Sequence, residues 1–424
     1  MAFWPKFLKY DLEQSERKLV LLASLGGMLE FYDFTVYGLF SIYFAEKFFP
    51  SSDQFISIIA SYAVFVVGYI ARPIGGIIFS HIGDEIGRKL VLILTMIIMG
   101  LASLGIGFLP TYDKIGVFAP ILLLLFRLIQ GLAIGGELPS MIVYVTESMP
   151  KKRGFAIGGV ITGTDSGLVL GLLINFMLVS VYNTEQLQSF GWRIPFILGG
   201  LLCFVSYQIR KKLHESEIFE KSTNRPKFPL VHLLINYPLQ TLYGFGLIAV
   251  MATFVMLSII FMPTYLKQIA GIDLAKLSHY VLIAAFVTII STYIMGIIAN
   301  RFEPRKLMLI VCIMAIFMSS ASYVLIANKT YILVALCLLT ILQGCFATLA
   351  PLLISYIFPT EIRLSGVALS YNLSHTLWGG MAPIIITSLI HYSGFIYWIP
   401  LFYIVITLFV TTWATLQMYK IKLY

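Results

Sequence analysis

The chain of 424 residues is 59% hydrophobic and 12% charged, whereas a soluble domain carries about 25% charged residues, so a water-soluble globular fold is excluded. Apolar stretches of about 20 residues, long enough to cross a hydrocarbon core of about 30 Å, recur from end to end and leave no room for a separate soluble catalytic domain. The formal net charge of +9 raises nucleic acid or anionic lipid as partners, and the placement of the charges decides against them.

Residues 1–18 are polar and amphipathic, with no apolar core ahead of a small-residue cleavage site, and read as a cytoplasmic segment rather than a cleavable signal. The first span, Leu19 to Ala45, then serves as its own insertion signal. Within it, the run Gly26 to Tyr37 holds Glu30 and Asp33. An ionisable side chain in a lipid-spanning helix costs roughly 2.5 to 3.5 kcal/mol, so it normally faces a partner or a water-filled cavity. Three positions apart, these two carboxylates share one helix face. The second span, Ile56 to Ser80, contains Arg72, and the loop Ser80 to Lys89 leads into the third, Leu90 to Leu109. The fourth, Val117 to Glu147, carries Arg127, Gln130 and Glu137; the fifth, Phe155 to Val181, carries Asp165; the sixth is Ile194 to Ile209. A polar connection, 210–236, follows. Six further spans complete the chain: Leu239 to Tyr265, Leu277 to Ala299, Leu307 to Ala327, Tyr331 to Phe358, Val367 to His391 and Tyr397 to Gln417.

These elements predict an all-α membrane protein of twelve transmembrane helices in two pseudo-symmetric six-helix bundles, 19–209 and 237–417, joined by the loop 210–236 and followed by a tail, 418–424. Both termini fall on the side rich in Lys and Arg, which includes Lys6, Lys9, Arg88, Lys89, Lys151, Lys152, Arg153, Arg210, Lys211, Lys212, Arg225, Arg301, Arg363 and Lys422. Only Lys47, Lys114, Arg193, Lys267, Lys276 and Lys329 lie opposite, and the positive-inside rule makes the rich side cytoplasmic. The basicity is topology, and no nucleic-acid partner is implied. Gln130-Gly131 meets Gln343-Gly344, and Trp192-Arg193-Ile194-Pro195 meets Trp398-Ile399-Pro400, when the two halves are laid over each other. Parallel repeats of this kind place a substrate site near the midplane, between halves that rock against each other. Cys203, Cys312, Cys337 and Cys345 all fall within spans without metal-ligand spacing and read as packing residues.

At about 1.5 Å per residue, Arg72 and Glu30 each lie roughly 18 Å from the cytoplasmic end of their spans, Asp33 somewhat higher, and Arg127 about 15 Å down from outside. Two positive and two negative groups in neighbouring layers can neutralise one another. They form either a permanent structural network or a working site, with Arg127 or Arg72 clamping a substrate carboxylate and Glu30 or Asp33 carrying a proton. Glu137 is either a second proton stop or a structural hydrogen-bond acceptor. Asp165 is either a substrate contact or, as the favoured reading, a solvated group near the cytoplasmic end. No acidic or basic residue occupies the centre of a C-terminal span, so that wall is polar and aromatic: Tyr371, Asn372, His375 and Trp378, with Gln343, Tyr293 and Ser291. Trp378 or Tyr371 offers a cation-π face to an amine. In the loop after the second span, Asp84 can accept backbone N–H groups or cap a helix N-terminus, and Arg88 can pair with a carboxylate such as Glu147. The bland alternative is an ordinary basic turn.

The loop pattern Gly83-Asp84-x-x-Gly87-Arg88-Lys89, its weaker echo Asn300-Arg301, and Arg127-x-x-Gln130-Gly131 resemble the major facilitator superfamily. More narrowly, the chain resembles its metabolite:proton symporter branch, which includes proline/betaine, α-ketoglutarate, shikimate and citrate transporters. The motifs are Gly27-x-x-Glu30-x-Tyr32-Asp33-Phe34-x-x-Tyr37, Arg72-Pro73-x-Gly75-Gly76, Gly131-x-x-x-Gly135-Gly136-Glu137, Tyr144-x-x-Glu147-x-x-Pro150-x-x-Arg153-Gly154, Gly191 to Phe196, Phe358-Pro359-Thr360-Glu361-x-Arg363 and Tyr371 to Ser374. Ser80, Glu85, Leu138-Pro139 and Asn300 depart from the family pattern, and no long coiled-coil tail of the osmosensing type follows the last span.

Together these readings assign proton coupling to Glu30, Asp33 and Glu137. Substrate binding falls to Arg72, Arg127, Tyr37, Tyr371, Asn372, His375 and Trp378, and gating to Asp84, Arg88, Glu147 and Arg153. The resemblance implies a monomeric, proton-coupled carrier of a small carboxylate-bearing metabolite in the cell inner membrane, with no cofactor. An uncoupled facilitator or exchanger, and a nontransporting receptor on the same scaffold, are the alternatives; without a metal-ligand cluster, nucleophile-base pair or phosphate loop, an enzyme is not indicated.

Overall fold

The computed structural model describes residues 13–51, 54–211, 214–221, 226–266, 271, 274–421 and 423–424. Lys6, Lys9, Lys212, Arg225, Lys267 and Lys422 of the topology argument lie outside the described residues. There is no strand among those described, as lipid requires: a helix satisfies its own backbone N–H and C=O groups where no water can. The membrane helices are α1 (Gln14–Phe48), α2 (Gln54–Glu85), α3 (Arg88–Phe108), α4 (Phe118–Ser148), α5 (Arg153–Val181), α6 (Arg193–Arg210), α7 (Pro238–Val255), α8 (Leu274–Ala299), α9 (Pro304–Ala327), α10 (Ile332–Ile354), α11 (Arg363–Ser374, continuing through a π turn, His375–Gly380, into Ala382–Ser393) and α12 (Trp398–Gln417). Among the described residues ten helices are long and apolar enough to span. The segment Thr184–Gly191, bent 44° against Arg193–Gln208, makes an eleventh, and α2 completes the twelve. The loop 210–236 contains two short helices, Glu217–Glu220 and Pro229–Asn236.

Small residues set how closely α2 and α4 approach. A Cβ added to Gly75 would strike the Leu132 carbonyl, and one on Gly131 the Gly68 carbonyl, both fixed backbone. Without a hydrophobic force between helices in lipid, such close backbone packing is what draws them together. Arg72 and Arg127 flank this seam, so the seam fixes their separation. The same device joins the two halves: a Cβ on Gly158 of α5 would lie 2.6 Å from the Gly296 Cα of α8.

Proline supplies a second device. Pro139 inside α4 has no N–H to donate to the carbonyl four residues back, and that carbonyl, on Gly135, accepts the Asn372 side-chain amide of α11 at 2.7 Å. Leu138-Pro139, a departure in sequence, thus frees the acceptor that pins α11 to α4.

The halves are latched where α2 and α4 end and α11 begins. Asp84 accepts the backbone N–H groups of Leu364 (3.2 Å) and Ser365 (2.8 Å), capping the start of α11. Arg88 reaches the Gly83 and Thr360 carbonyls at 2.6 and 2.7 Å and lies 3.3 Å from Glu147. Glu147 also accepts Arg363 at 3.0 Å and the Ser216 hydroxyl at 2.9 Å. Both expectations for Asp84 and Arg88 are met; Arg363 and Ser216 are additional members that the sequence reading missed. Arg153 of α5 also crosses to the other half, donating to the Tyr424 carbonyl at 3.1 Å and lying over the Tyr356 ring at 4.7 Å.

Gly75→Ala or Gly131→Ala is expected to lower the melting temperature of the purified protein by about 5 °C or more, whereas Gly38→Ala, where an added Cβ meets nothing within 4 Å, leaves it unchanged or raises it. Glu147→Ala would strand two buried guanidinium groups, a loss of about 3–5 kcal/mol confined to the latched state. Labelling of a Ser365→Cys reporter, in a background freed of native cysteines, should then accelerate at least about 10-fold from the cytoplasmic side.

Candidate functional site

The four charges expected near the midplane come together as two pairs on three helices. Glu30 of α1 lies 3.8 Å from Arg72 of α2, and Asp33 of α1 lies 3.3 Å from Arg127 of α4. All four are at most 5% exposed. Their neighbours differ. Asp33 also accepts the Ser103 hydroxyl at 2.5 Å and the Gln130 amide at 2.8 Å, so three donors surround one carboxylate. Glu30 keeps one oxygen, Oε2, without a hydrogen-bond partner, and the Arg72 Nε and the Arg127 Nε and NH2 are likewise unbonded. A buried donor or acceptor left unmet costs about 1–3 kcal/mol, more when charged, so these positions mark where a ligand or proton gains most.

Aromatic rings steer the guanidinium groups. Arg127 lies 3.5 Å above the Tyr37 ring, whose hydroxyl donates to the Ser61 carbonyl at 3.1 Å. Arg72 stands 5.3 Å from the Tyr69 ring centre. Between the two arginines is a small gap of about 20 Å³, room for about one water molecule, bounded by Phe34, Tyr69, Arg72, Arg127, Gln130 and Ile134. A second gap, of about 10 Å³, lies among Glu30, Met96, Ala133, Ile134 and Glu137.

Glu137 is 2.5 Å from the NH1 of Arg210 and accepts the Thr95 hydroxyl. Arg210, counted in sequence among cytoplasmic charges, is fully buried and donates to the carbonyls of Leu92 (3.0 Å) and Ala23 (3.1 Å). Its position at the cytoplasmic end of α6 carried no sign of this. A long side chain there can turn inward towards an acidic partner as easily as outward to water.

Asp165 requires a correction. It is not solvated near the cytoplasmic end but buried, about 18 Å into α5 from Arg153, with its Oδ2 accepting Thr292 of α8 at 3.0 Å. It lines a third gap, of about 20 Å³, with Phe31, Phe34, Ile260, Thr288 and Gln343.

The expected C-terminal wall is only partly assembled there. Tyr371 is buried, and His375 stacks on it at 4.1 Å between ring centres, with Nδ1 3.1 Å from the Tyr371 carbonyl. The Asn372 amide is spent on Gly135 and on the Ala368 carbonyl (2.9 Å), so it ties helices. Trp378 sits between Phe245 and Tyr403, inside the C-terminal helices rather than at the arginines. Tyr293 is 42% exposed and packs on Phe155, away from the gaps. Gln343 does reach the third gap and accepts Ser258 at 2.9 Å.

Known proteins place this arrangement. The chain is 33% identical over 392 residues to the inner membrane metabolite transport protein YhjE of Escherichia coli (strain K12), covering 89% of this chain and 88% of that one. It is 31% identical over 386 residues to the putative proline/betaine transporter of Staphylococcus aureus (strain MSSA476), covering 89% and 83%, and 31% identical over 396 residues to the proline/betaine transporter of Escherichia coli (strain K12), covering 89% and 78%. The fold matches the solved proton:xylose symporter XylE bound to 6-bromo-6-deoxy-D-glucose with a TM-score of 0.76 at 18% identity, over 96% of this chain and 95% of that one. Residues 23–383 match the model of the Major Facilitator Superfamily. The twelve helices, the latch between halves and these relatives agree: this multi-pass membrane protein belongs to the Major Facilitator Superfamily.

Proposed function

We propose that the protein is a secondary active transporter coupling proton entry to uptake of a small carboxylate-bearing metabolite, a proline- or betaine-like zwitterion or an organic acid. The observation that carries this reading is the unequal satisfaction of the two midplane pairs. Asp33, held by Arg127, Gln130 and Ser103, has little to gain from a proton. Glu30, with a free oxygen and a 3.8 Å pairing to Arg72, has much. Asp33 accordingly positions Arg127, and Glu30 carries the proton.

When Glu30 is protonated, Arg72 loses its counter-charge and is released to bind a substrate carboxylate beside the open NH2 of Arg127. Proton and anion thereby favour each other's binding, which is the linkage that symport needs. The small gap that Glu30 and Glu137 share supports Glu137 as a second proton stop on the way to the cytoplasm. Gating falls to Asp84, Arg88 and Glu147, joined by Arg363; their bonds must break for the cytoplasmic side to open. The two six-helix units, 19–209 and 237–417, with 210–236 between them and 1–18 and 418–424 outside, move as the rocking bodies. The Lys and Arg distribution supports cytoplasmic termini and inner (plasma) membrane placement, with a monomer in the lipid bilayer as the working unit. The relatives named as proline/betaine transporters support the substrate class.

In proteoliposomes, an inward proton gradient should drive accumulation of labelled proline, betaine or an organic acid. Glu30→Gln is expected to cut uphill accumulation at least about 10-fold while counterflow at equal pH persists. Asp33→Asn should instead lower thermal stability and binding together. Wild-type uptake indifferent to the gradient would mean an uncoupled carrier, and full accumulation by the Glu30 variant would sink the carrier assignment.

A further inference from the structure

Among the described residues six acidic side chains are buried: Glu30, Asp33, Asp84, Glu137, Glu147 and Asp165. Five have an arginine within salt-bridge distance. Asp165 alone has none, and its bond to a neutral hydroxyl, that of Thr292, uses one oxygen, Oδ2. A buried carboxylate is expensive unless paired, so a position that lacks a protein cation is suited to a cation brought by something else. The cavity beside it is apolar and aromatic, with Phe31 and Phe34 on one wall and Val255, Ile259 and Ile260 opposite. A compact, strongly hydrated ammonium would lose its water shell in such a space with few donors or acceptors to replace it. One carboxylate with aromatic faces suits an organic ammonium, whose methyl or methylene groups take the rings while the positive charge takes the acid.

Phe34 connects this cavity to the other end of a ligand, because the same ring lines the space between Arg72 and Arg127. Resting on the assignment of that space to the substrate carboxylate, we propose that Asp165, Phe31 and Phe34 form the ammonium-binding half of the substrate site. Once the halves part and the two small gaps widen, the transported solute is a zwitterion laid across Phe34, its carboxylate towards Arg72 and Arg127 and its ammonium towards Asp165. A dicarboxylate would set its second negative charge against Asp165 and is disfavoured. The subsite also spans the two halves, since Thr288 and Gln343 on its far wall belong to α8 and α10.

Two solutes of matched shape test this directly: glycine betaine and 3,3-dimethylbutanoate, which differ by a quaternary nitrogen against a quaternary carbon. Binding to the purified full-length protein is measured by calorimetric titration, with ligand-induced thermal shift as a second readout. The wild type should bind betaine at least about 10-fold more tightly than its uncharged-headed counterpart. Asp165→Asn should weaken betaine by about 10-fold or more, leave 3,3-dimethylbutanoate unchanged and so erase the discrimination; Asp165→Glu should restore part of it. The proposal is overturned if the wild type treats the two alike, if it prefers succinate to both, or if the Asn variant discriminates as the wild type does. The wild-type comparison stands on its own if the Asn variant fails to fold. The proton-coupling reading fails separately, through gradient-independent uptake, whereas discrimination between the two solutes reports the subsite alone.

Discussion

Everything in this molecule depends on holding charge inside a medium that will not solvate it. Among the described residues each buried carboxylate of the first six helices except Asp165 meets an arginine, and all these pairings but Asp84 with Arg88, which spans the turn between α2 and α3, join helices far apart in the chain. The cost of an unpaired ion in the bilayer interior makes these pairings obligatory, and so the pairs dictate which helices must be neighbours. Asp33 with Arg127 binds α1 to α4; Glu30 with Arg72 binds α1 to α2; Glu137 with Arg210 binds α4 to α6. Where the partnering is complete, the charge is architecture. Where it is incomplete, at Glu30 and the two arginines, the same physics leaves a site that a proton or an anion can satisfy.

Close backbone packing makes those pairings short enough to matter. Gly75 and Gly131 let α2 and α4 meet backbone to backbone, with Arg72 and Arg127 on the two helices of that seam. Pro139 contributes in the opposite way, by leaving a carbonyl unbonded for Asn372 to claim. The halves meet at Gly158 against Gly296, at Asp84 against the first N–H groups of α11, and at Glu147 between two arginines. These latches accompany a buried apolar cluster to which both halves contribute, so parting the halves breaks apolar contact as well as charge pairing. Ser216, donating from the connecting loop to Glu147, adds that loop to the closure.

Twelve spans, their boundaries to within a few residues, the meeting of Glu30 and Asp33 with Arg72 and Arg127, and the partners of Asp84 and Arg88 were all legible from the amino-acid order. Hydropathy, the 1.5 Å helical rise and the price of buried charge depend on composition and position along the chain, and a helix in lipid has few alternatives. Depth does not give direction, however. Arg210 and Asp165 were misread because distance along a helix says nothing about which face a side chain takes or what stands opposite: Arg210 turns inward to Glu137, and Asp165 meets Thr292 from the other half. Trp378 and Tyr293 failed as wall residues for the same reason, since the rotation of α11 and α8 about their axes is set by packing. The sequence by itself determined the membrane class, the repeat and the presence of charges that need partners. Only the tertiary structure decided which pairs are satisfied, because hydrogen bonding is a matter of a few tenths of an ångström between residues far apart in the chain.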